Sequence, residues 1–319
     1  MNTVGLATLF RMGCICGKES ITINNRRFYI RSRLGEGGFS VVDLLEDARN
    51  HTMYAMKRIT CHDKKDEQVA MREVEIMKST KHSNLVLLIE YAMITVGQHV
   101  QSHEPITETL IVMPFYKRGT VQDRIESLSR KSDKMKEEDI WPVFLGVCKA
   151  LKALHSHNPP YAHRDLKPGN IMIGDNGEAI LMDLGSAVKA RVEIKSRSEA
   201  IALQDEAAER SSMLFRPPEL FNVEPGTSVD ERTDIWSLGC TLYAMAFLEA
   251  PFEQAYQRGD SIALAVMSDN IRIPQNTGYS TSIEETIRTC MVVNPMERPF
   301  IDQILNKAQT MCNKNSANA

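Results

Sequence analysis

Tyr161-Ala162-His163-Arg164-Asp165-Leu166-Lys167-Pro168-Gly169-Asn170 is a polar stretch flanked by apolar sequence, and Met182-Asp183-Leu184-Gly185 follows it closely. Upstream, Phe28-Tyr29-Ile30, Val41 to Leu45 and Met53-Tyr54-Ala55-Met56-Lys57 read as short strands separated by glycine clusters and polar turns. From Glu67 to Lys81 the apolar positions Val69, Ala70, Val74, Ile76 and Met77 recur at helical spacing, which predicts one helix interrupting the strands. Leu85 to Tyr91 and Thr109 to Phe115 return to strand-like runs. Beyond Gly119 the pattern changes to long amphipathic stretches, of which Ile140 to His157 and Arg232 to Phe247 are the clearest. A small β-rich lobe therefore precedes a larger helical lobe, an α+β organisation.

The bulk numbers agree with a folded, two-lobed chain. In 319 residues, 43% are apolar, enough for a full core. The 38 basic and 41 acidic residues are mixed along the chain and leave a formal charge of −3, which gives no electrostatic footprint for nucleic acid. Seven cysteines are scattered without C-x-x-C spacing, which fits a reducing, cytosolic compartment better than a secreted disulfide framework. No apolar run approaches the roughly 18 residues that span a bilayer, and Met1 to Phe10 lacks the charged start of a signal peptide.

Two upstream elements have a chemical reading of their own. Gly35-Glu36-Gly37-Gly38-Phe39-Ser40-Val41-Val42 lies between strand signals and predicts a hairpin whose glycines let backbone N–H groups approach phosphate oxygens. Ser40 stands where the G-x-G-x-x-G pattern has its last glycine. Lys57 ends an apolar strand 15 residues after Val42. An inward-pointing ammonium there needs an anion to hold it; Glu73 on the following helix is the natural candidate, and Glu75 lies two positions on, on a different face.

The polar stretch resembles the protein kinase family almost letter for letter. Seven fixed residues in H-R-D-L-K-P-x-N would arise by chance about once in 20⁷ draws, on the order of 10⁻⁹. The resemblance covers about Phe28 to Leu305 and implies a bilobed kinase fold, with an N-lobe over about 28–113, a hinge at 114–119 and a C-lobe over 120–305. Residues 1–25 and 306–319 are then tails. It implies ATP and Mg²⁺ as reactants. Asp165 would accept the hydroxyl proton, Lys167 would steady the transferred phosphoryl group, and Asn170 and Asp183 would be hard oxygen ligands for the metal. Leu34, Gly35, Gly37, Gly38, Phe39, Val42, Ala55, Lys57, Glu73, Met113, Phe115 and Met172 would form the ATP site. In it Val42, Ala55 and Met172 sandwich adenine, Met113 is the gatekeeper and Pro114 to Tyr116 form the hinge. Lys167 implies seryl and threonyl hydroxyls on proteins as substrates. Asp-Leu-Gly replaces Asp-Phe-Gly, keeping the ligand and exchanging one apolar residue for another. Arg216-Pro217-Pro218-Glu219 stands for Ala-Pro-Glu, and Arg298 is expected to pair with Glu219. With Lys57, Asp165, Asn170 and Asp183 all present, an active enzyme is favoured over a pseudokinase scaffold.

Within this superfamily the chain is similar to the Numb-associated kinases, whose members carry an extra helix in the activation segment. Ser196-Arg197-Ser198-Glu199 has the form of a capping box, and Ala200, Leu203 and Ala207 follow on one face. Arg164 wants a phosphate, which Ser211 or Ser212 could supply; the expectation is that the inserted helix already holds the segment in place. Both serines read equally as ordinary turn residues. Met12-Gly13-Cys14-Ile15-Cys16-Gly17-Lys18 looks like a dual acylation signal, with myristate on Gly13 and palmitate on Cys14 and Cys16. Gly17 stands where that signal usually has Ser or Thr. Myristoylation also requires translation to begin at Met12, the expected start, rather than Met1. The resemblance implies attachment to the cytoplasmic face of Golgi and perinuclear membranes and a role in secretory trafficking.

Overall fold

The computed structural model describes residues 7–10, 19–37, 40–98 and 105–318. The chain divides into two compact units, Met1–Lys81 with Val86–Phe115, and His82–Leu85 with Tyr116–Ala319. No helix among the described residues is long and apolar enough to cross a membrane.

The first unit is one antiparallel sheet with a helix. Its strands are β1 (Ala7–Phe10), β2 (Ser20–Ile23), β3 (Arg26–Glu36), β4 (Ser40–Asp47), β5 (Met53–Cys61), β6 (Glu90–Gln98) and β7 (Pro105–Pro114). They are ordered β1-β2-β3-β4-β5-β7-β6. Two of these lie in the stretch read as an N-terminal tail up to Asn25. The reason is the pair Asn24-Asn25, whose φ values of 47° and 65° make a two-residue turn that matches strand twist and that Asn tolerates. It brings Ile23 opposite Arg26 and Ile21 opposite Phe28. Ile21, Ile23 and Phe28 then join Leu45, Met56, Ala92, Leu110 and Val112 in one buried cluster.

The helix α1 (Lys64–Ser79) begins three residues before the expected Glu67, because Asp63 caps it by accepting from the Lys65 and Asp66 N–H groups. It stops at Thr80, whose hydroxyl and N–H both return to the Ile76 carbonyl. The run Leu85 to Tyr91 is not one strand. Leu85 makes only an isolated parallel bridge to Leu181, and its turn belongs to the second unit, where Asn84 donates to the Ala179 carbonyl. The strand begins at Glu90.

The second unit is mainly helical, with α2 (Val121–Arg130), α3 (Glu137–His155), α4 (Arg197–Arg210), α5 (Arg232–Phe247), α6 (Glu253–Gln257), α7 (Ile262–Met267), α8 (Thr281–Cys290) and α9 (Ile301–Asn318). Short two-stranded pairings join them: β8 (Tyr161–Ala162) with β11 (Val188–Lys189), β9 (Ile171–Ile173) with β10 (Ala179–Leu181), and β12 (Val192–Glu193) with β13 (Ser228–Val229). The sequence pattern marked Arg232 to Phe247 as amphipathic, but every residue of α5 from Arg232 to Ala246 is buried. Its charged and hydroxyl side chains find partners inside the unit instead of solvent. Gly239 lets α8 approach, since a Cβ there would lie 2.6 Å from Met291 Cγ and 2.7 Å from Cys290 Cβ. α4 is the inserted helix, closed by the Ser196–Glu199 capping box and seated by Ala200, Leu203 and Ala207 against Ile194, Val223, Leu220 and Val229.

Phe28 is fully buried and ties β2, which the sequence left outside the fold, to the rest of the sheet. Phe28→Ala should cost about 3–5 kcal/mol in chemical denaturation; a loss below about 1 kcal/mol would mean that β2 is dispensable.

Candidate active site

In the first unit, the antiparallel register sets Lys57 on β5 opposite Val42 on β4 and Ile111 on β7. Its Nζ reaches both carboxylate oxygens of Glu73, at 3.0 and 2.9 Å, and Glu73 is buried in α1 while Glu75 faces solvent. Ala55 pairs with Met113 across β5 and β7, and both are buried; Phe115 follows β7. Leu34, Gly35 and Gly37 sit on the exposed end of the β3–β4 hairpin, closed by the Gly37 N–H on the Ser40 carbonyl. Among the described residues, a Cβ at Gly35 would meet nothing within 4 Å, so no packing there calls for this glycine. Gly38 and Phe39, like Gly13, Cys14 and Cys16, lie outside the described residues.

In the second unit the polar stretch is a loop between β8 and β9. Asp165 is its centre. One carboxylate oxygen accepts the Ser212 N–H at 2.7 Å, and the other accepts Asn170 Nδ2 at 3.0 Å and lies 2.9 Å from Lys167 Nζ. Asn170 Nδ2 also donates to the Asp165 carbonyl at 2.8 Å, which fixes the amide nitrogen inward and leaves the side-chain oxygen as a donor atom for a ligand. Lys167 Nζ donates to Ser212 Oγ at 2.6 Å. Met172 on β9 pairs with Ile180 on β10. Asp183 has a left-handed backbone, φ 60° and ψ 70°, as does Arg164 with φ 67°. Such conformations of non-glycine residues cost on the order of 1–3 kcal/mol and persist only where the surroundings impose them.

Asp234 imposes the one at Arg164. Its buried carboxylate accepts the N–H groups of His163 and Arg164 at 2.7 and 2.9 Å and contacts His155 Nε2 at 2.9 Å. Burial pushes this carboxyl up, but the His155 hydrogen bond and charge, with the Arg164 N–H, hold it below the usual carboxylate range. His163 in turn reaches the Met182 carbonyl at 3.0 Å, and the Met182 N–H donates to the Asn170 carbonyl at 2.9 Å, so the loop and the Asp183 segment are laced together.

Arg298 is 1% exposed and pairs with Glu219 through two parallel hydrogen bonds of 2.8 and 3.1 Å. Its other donors go to the Arg232 and Val292 carbonyls. Ser211 and Ser212 are both engaged: Ser211 Oγ donates to the Ala207 carbonyl and accepts from Arg216 Nε.

Oxygen donors at Asn170 and Asp183 suit a hard divalent cation. Among the described residues, no group of three His, Cys, Asp or Glu side chains could hold a metal by itself. Two protein donors completed by phosphate oxygens and water is the arrangement Mg²⁺ accepts.

The sequence match to the family described as protein kinase domain runs over residues 28–308. The chain belongs to the protein kinase family. It is 41% identical over 298 residues to serine/threonine-protein kinase 16 of Rattus norvegicus and of Homo sapiens, covering 93% of this chain and 94% of each of theirs. It is 31% identical to serine/threonine-protein kinase ppk13 of Schizosaccharomyces pombe, covering 93% of this chain and 94% of that one. The chain is a serine/threonine protein kinase, and the kinase fold implies the use of ATP and a divalent metal ion.

Sequence reasoning missed Asp234 and Arg216 as parts of the site and read Ser212 as a phosphate acceptor or an ordinary turn residue. Asp234 had a signal: a carboxylate at the start of the apolar run Ile235-Trp236-Ser237-Leu238-Gly239 must be buried with partners. The other two had none, because their partners come from residues about 45 and 5 positions away in a loop.

Removing Glu219 strands a buried guanidinium. Glu219→Ala should lower stability by about 3–5 kcal/mol, measured by urea unfolding, and a cost under about 1 kcal/mol would show that the backbone carbonyls around Arg298 suffice.

Proposed function

We propose that this kinase transfers the γ-phosphate of Mg²⁺-ATP to protein serine and threonine hydroxyls, with Asp165 as the base and itself among its substrates. The arrangement that carries the reading is the Asp165 carboxylate, held at one oxygen by Ser212 and at the other by Asn170 and Lys167. Three donors from three places fix the plane of the carboxylate, which is what in-line positioning of an acceptor hydroxyl needs. In the transfer the substrate oxygen forms a bond to the γ-phosphorus, the bond to the β-bridging oxygen breaks, ADP leaves and the hydroxyl proton passes to Asp165.

Lys167, two residues on and already within reach of Asp165, steadies the transferred group. Lys57 takes the α- and β-phosphates, and Glu73 keeps its ammonium from folding away. Asn170 and Asp183 would hold Mg²⁺, and a cation held there would neutralise charge on the phosphate oxygens. The open space around Gly35 fits a backbone kept bare for phosphate rather than for packing.

Asp165→Asn keeps the amide within hydrogen-bond reach of its neighbours but removes the proton acceptor. Transfer of labelled phosphate to a generic basic protein and to the kinase itself should fall at least about 10²-fold, with the product of the wild type being phosphoserine and phosphothreonine. Equal transfer by both proteins would remove Asp165 from the role.

Membrane attachment by acyl chains on Gly13, Cys14 and Cys16 is the second part of the proposal, and it rests on the Met12-Gly13-Cys14-Ile15-Cys16 pattern. β1 pairs with β2 through residues upstream of Met12, so initiation at Met12 exchanges that strand for a free Gly13 amine. One myristoyl chain holds weakly and a palmitoyl chain makes the attachment stable. Expressed from Met12, the wild-type kinase should sediment with Golgi and perinuclear membranes, consistent with a role in secretory trafficking, and Gly13→Ala should be released. A variant that sediments like the wild type would rule out the anchor.

A further inference from the structure

We propose that Arg216 is a positioning residue for phosphoryl transfer, which ties off the C-terminal end of α4 and thereby sets Ser212 against Asp165 and Lys167. The proposal rests on the catalytic reading of Asp165.

A helix ends with carbonyls that have no partner within it, and a cation at that end is favoured by the helix dipole. At the end of α4 several of the carbonyls left over by the helix are taken by other parts of the second unit. Ala207 O receives both the N–H and the hydroxyl of Ser211. Arg210 O receives the Ser186 hydroxyl at 2.7 Å, just beyond Asp183. Arg216 supplies the rest: its Nη2 donates to Ser211 O at 3.0 Å and to Ala208 O at 3.4 Å, and its Nε donates to Ser211 Oγ at 2.8 Å. Arg216 is 9% exposed, and its guanidinium carbon lies 4.9 Å from the centre of the Phe221 ring, which adds a cation–π contact to the hydrogen bonds.

The residue after this knot is Ser212. Its N–H is the only donor on Asp165 Oδ1 among the described residues, and its hydroxyl takes a hydrogen from Lys167. Arg216 fixes the peptide on the N-terminal side of Ser212 by holding the Ser211 carbonyl, and so fixes the direction of the Ser212 N–H itself. A lysine could hold one of these acceptors as a point charge but not the fork of three.

The partners of Arg216 named above all belong to the second unit, and Ser212 adjoins the group that receives the proton, so the effect should appear in turnover. Arg216→Ala in the full chain should lower kcat by about tenfold or more, since small misplacements at a reacting group are costly, while the KM for ATP stays within about twofold. Arg216→Lys should recover part of the loss. Ser212→Ala keeps the N–H on Asp165 but removes the hydroxyl on Lys167, and because Arg216 sets both, the loss on going from Ser212→Ala to the double variant should be smaller than the loss Arg216→Ala causes in the wild type. Thermal melting separates this from a role in folding alone. An Arg216→Ala protein with a lowered melting temperature but kcat within twofold of wild type would overturn the proposal, and so would full multiplication of the two single losses. Should Arg216→Ala be too unstable to assay, Arg216→Gln, which keeps a donor without the charge, carries the same comparison with the same two outcomes.

Discussion

One buried carboxylate holds the chemistry of the second unit in place. An ionised group in the interior costs several kcal/mol unless its lone pairs are satisfied, and Asp234 satisfies them with two backbone N–H groups and an imidazole. Those N–H groups belong to the two residues immediately before Asp165. Arg164 is thereby held in a left-handed backbone conformation that an L-residue would otherwise leave, and the chain is turned so that Asp165 faces Lys167 and Asn170. Because the bonds go to the backbone, positioning does not depend on what the side chains at 163 and 164 do. Those side chains are free for other work, and His163 uses its ring to reach the Met182 carbonyl next to Asp183.

The segment from Asp183 to Glu219 is fixed on the same principle at both ends. At one end the loop network described above holds Asp183; at the other, Glu219 is locked to Arg298, whose remaining donors are spent on the carbonyls of Arg232 and Val292. Buried pairs of this kind are poor evidence for net stability, since well-packed apolar residues would do as well, but they tolerate only one geometry. Between the two fixed ends the chain has some 35 residues to place, too many for a segment without structure of its own to hold one conformation. α4 shortens the problem. Its capping box starts it without tertiary help, and Ala200, Leu203 and Ala207 seat it on two small apolar clusters.

How much of this was legible follows from the range of the interactions. Glu73 as the partner of Lys57 could be read from its place in a kinase-like pattern ahead of His82, and Asp165 and Asn170 as site residues from the H-R-D-L-K-P-x-N run, because each pattern is short and continuous in the chain. The inserted helix could be read for the same reason, from the capping box at Ser196 and apolar residues on one face. What failed was of two kinds. Asn24-Asn25 is a turn signal only two residues long, and unless it is taken as one, Ile21 and Ile23 fall in a tail although they are core residues. The run Leu85 to Tyr91 looked like one strand because apolar character alone cannot say that its first residue pairs with Leu181 and its last with β7. α5 shows the same limit, since a helix buried on every side and an amphipathic one share the same polar residues until their partners are known.

The inserted helix also bears on whether Arg164 needs a phosphate. The guanidinium of Arg164 is buried, and its Nε and Nη2 find no hydrogen-bond partner among the described residues. Burial lowers its affinity for a proton, and the field of Asp234, Glu219, Glu206 and Asp230 works against that. Glu206 is on α4 and lines the same small cavity as Arg164, so the helix brings a negative charge where a phosphate would otherwise be the source of one. A phosphate on Ser212 would act the other way. Its dianion would stand beside the Asp165 carboxylate and take Lys167 from it, with like charges a few ångströms apart. On Ser211 a phosphate would instead meet the Arg216 guanidinium. Of the two hydroxyls, only Ser211 stands away from the Asp165 carboxylate, but a phosphate there would give up the hydroxyl's bond to the Ala207 carbonyl and set negative charge at the C-terminal end of α4, so phosphorylation at Ser211 works against the helix end and phosphorylation at Ser212 against the site it adjoins.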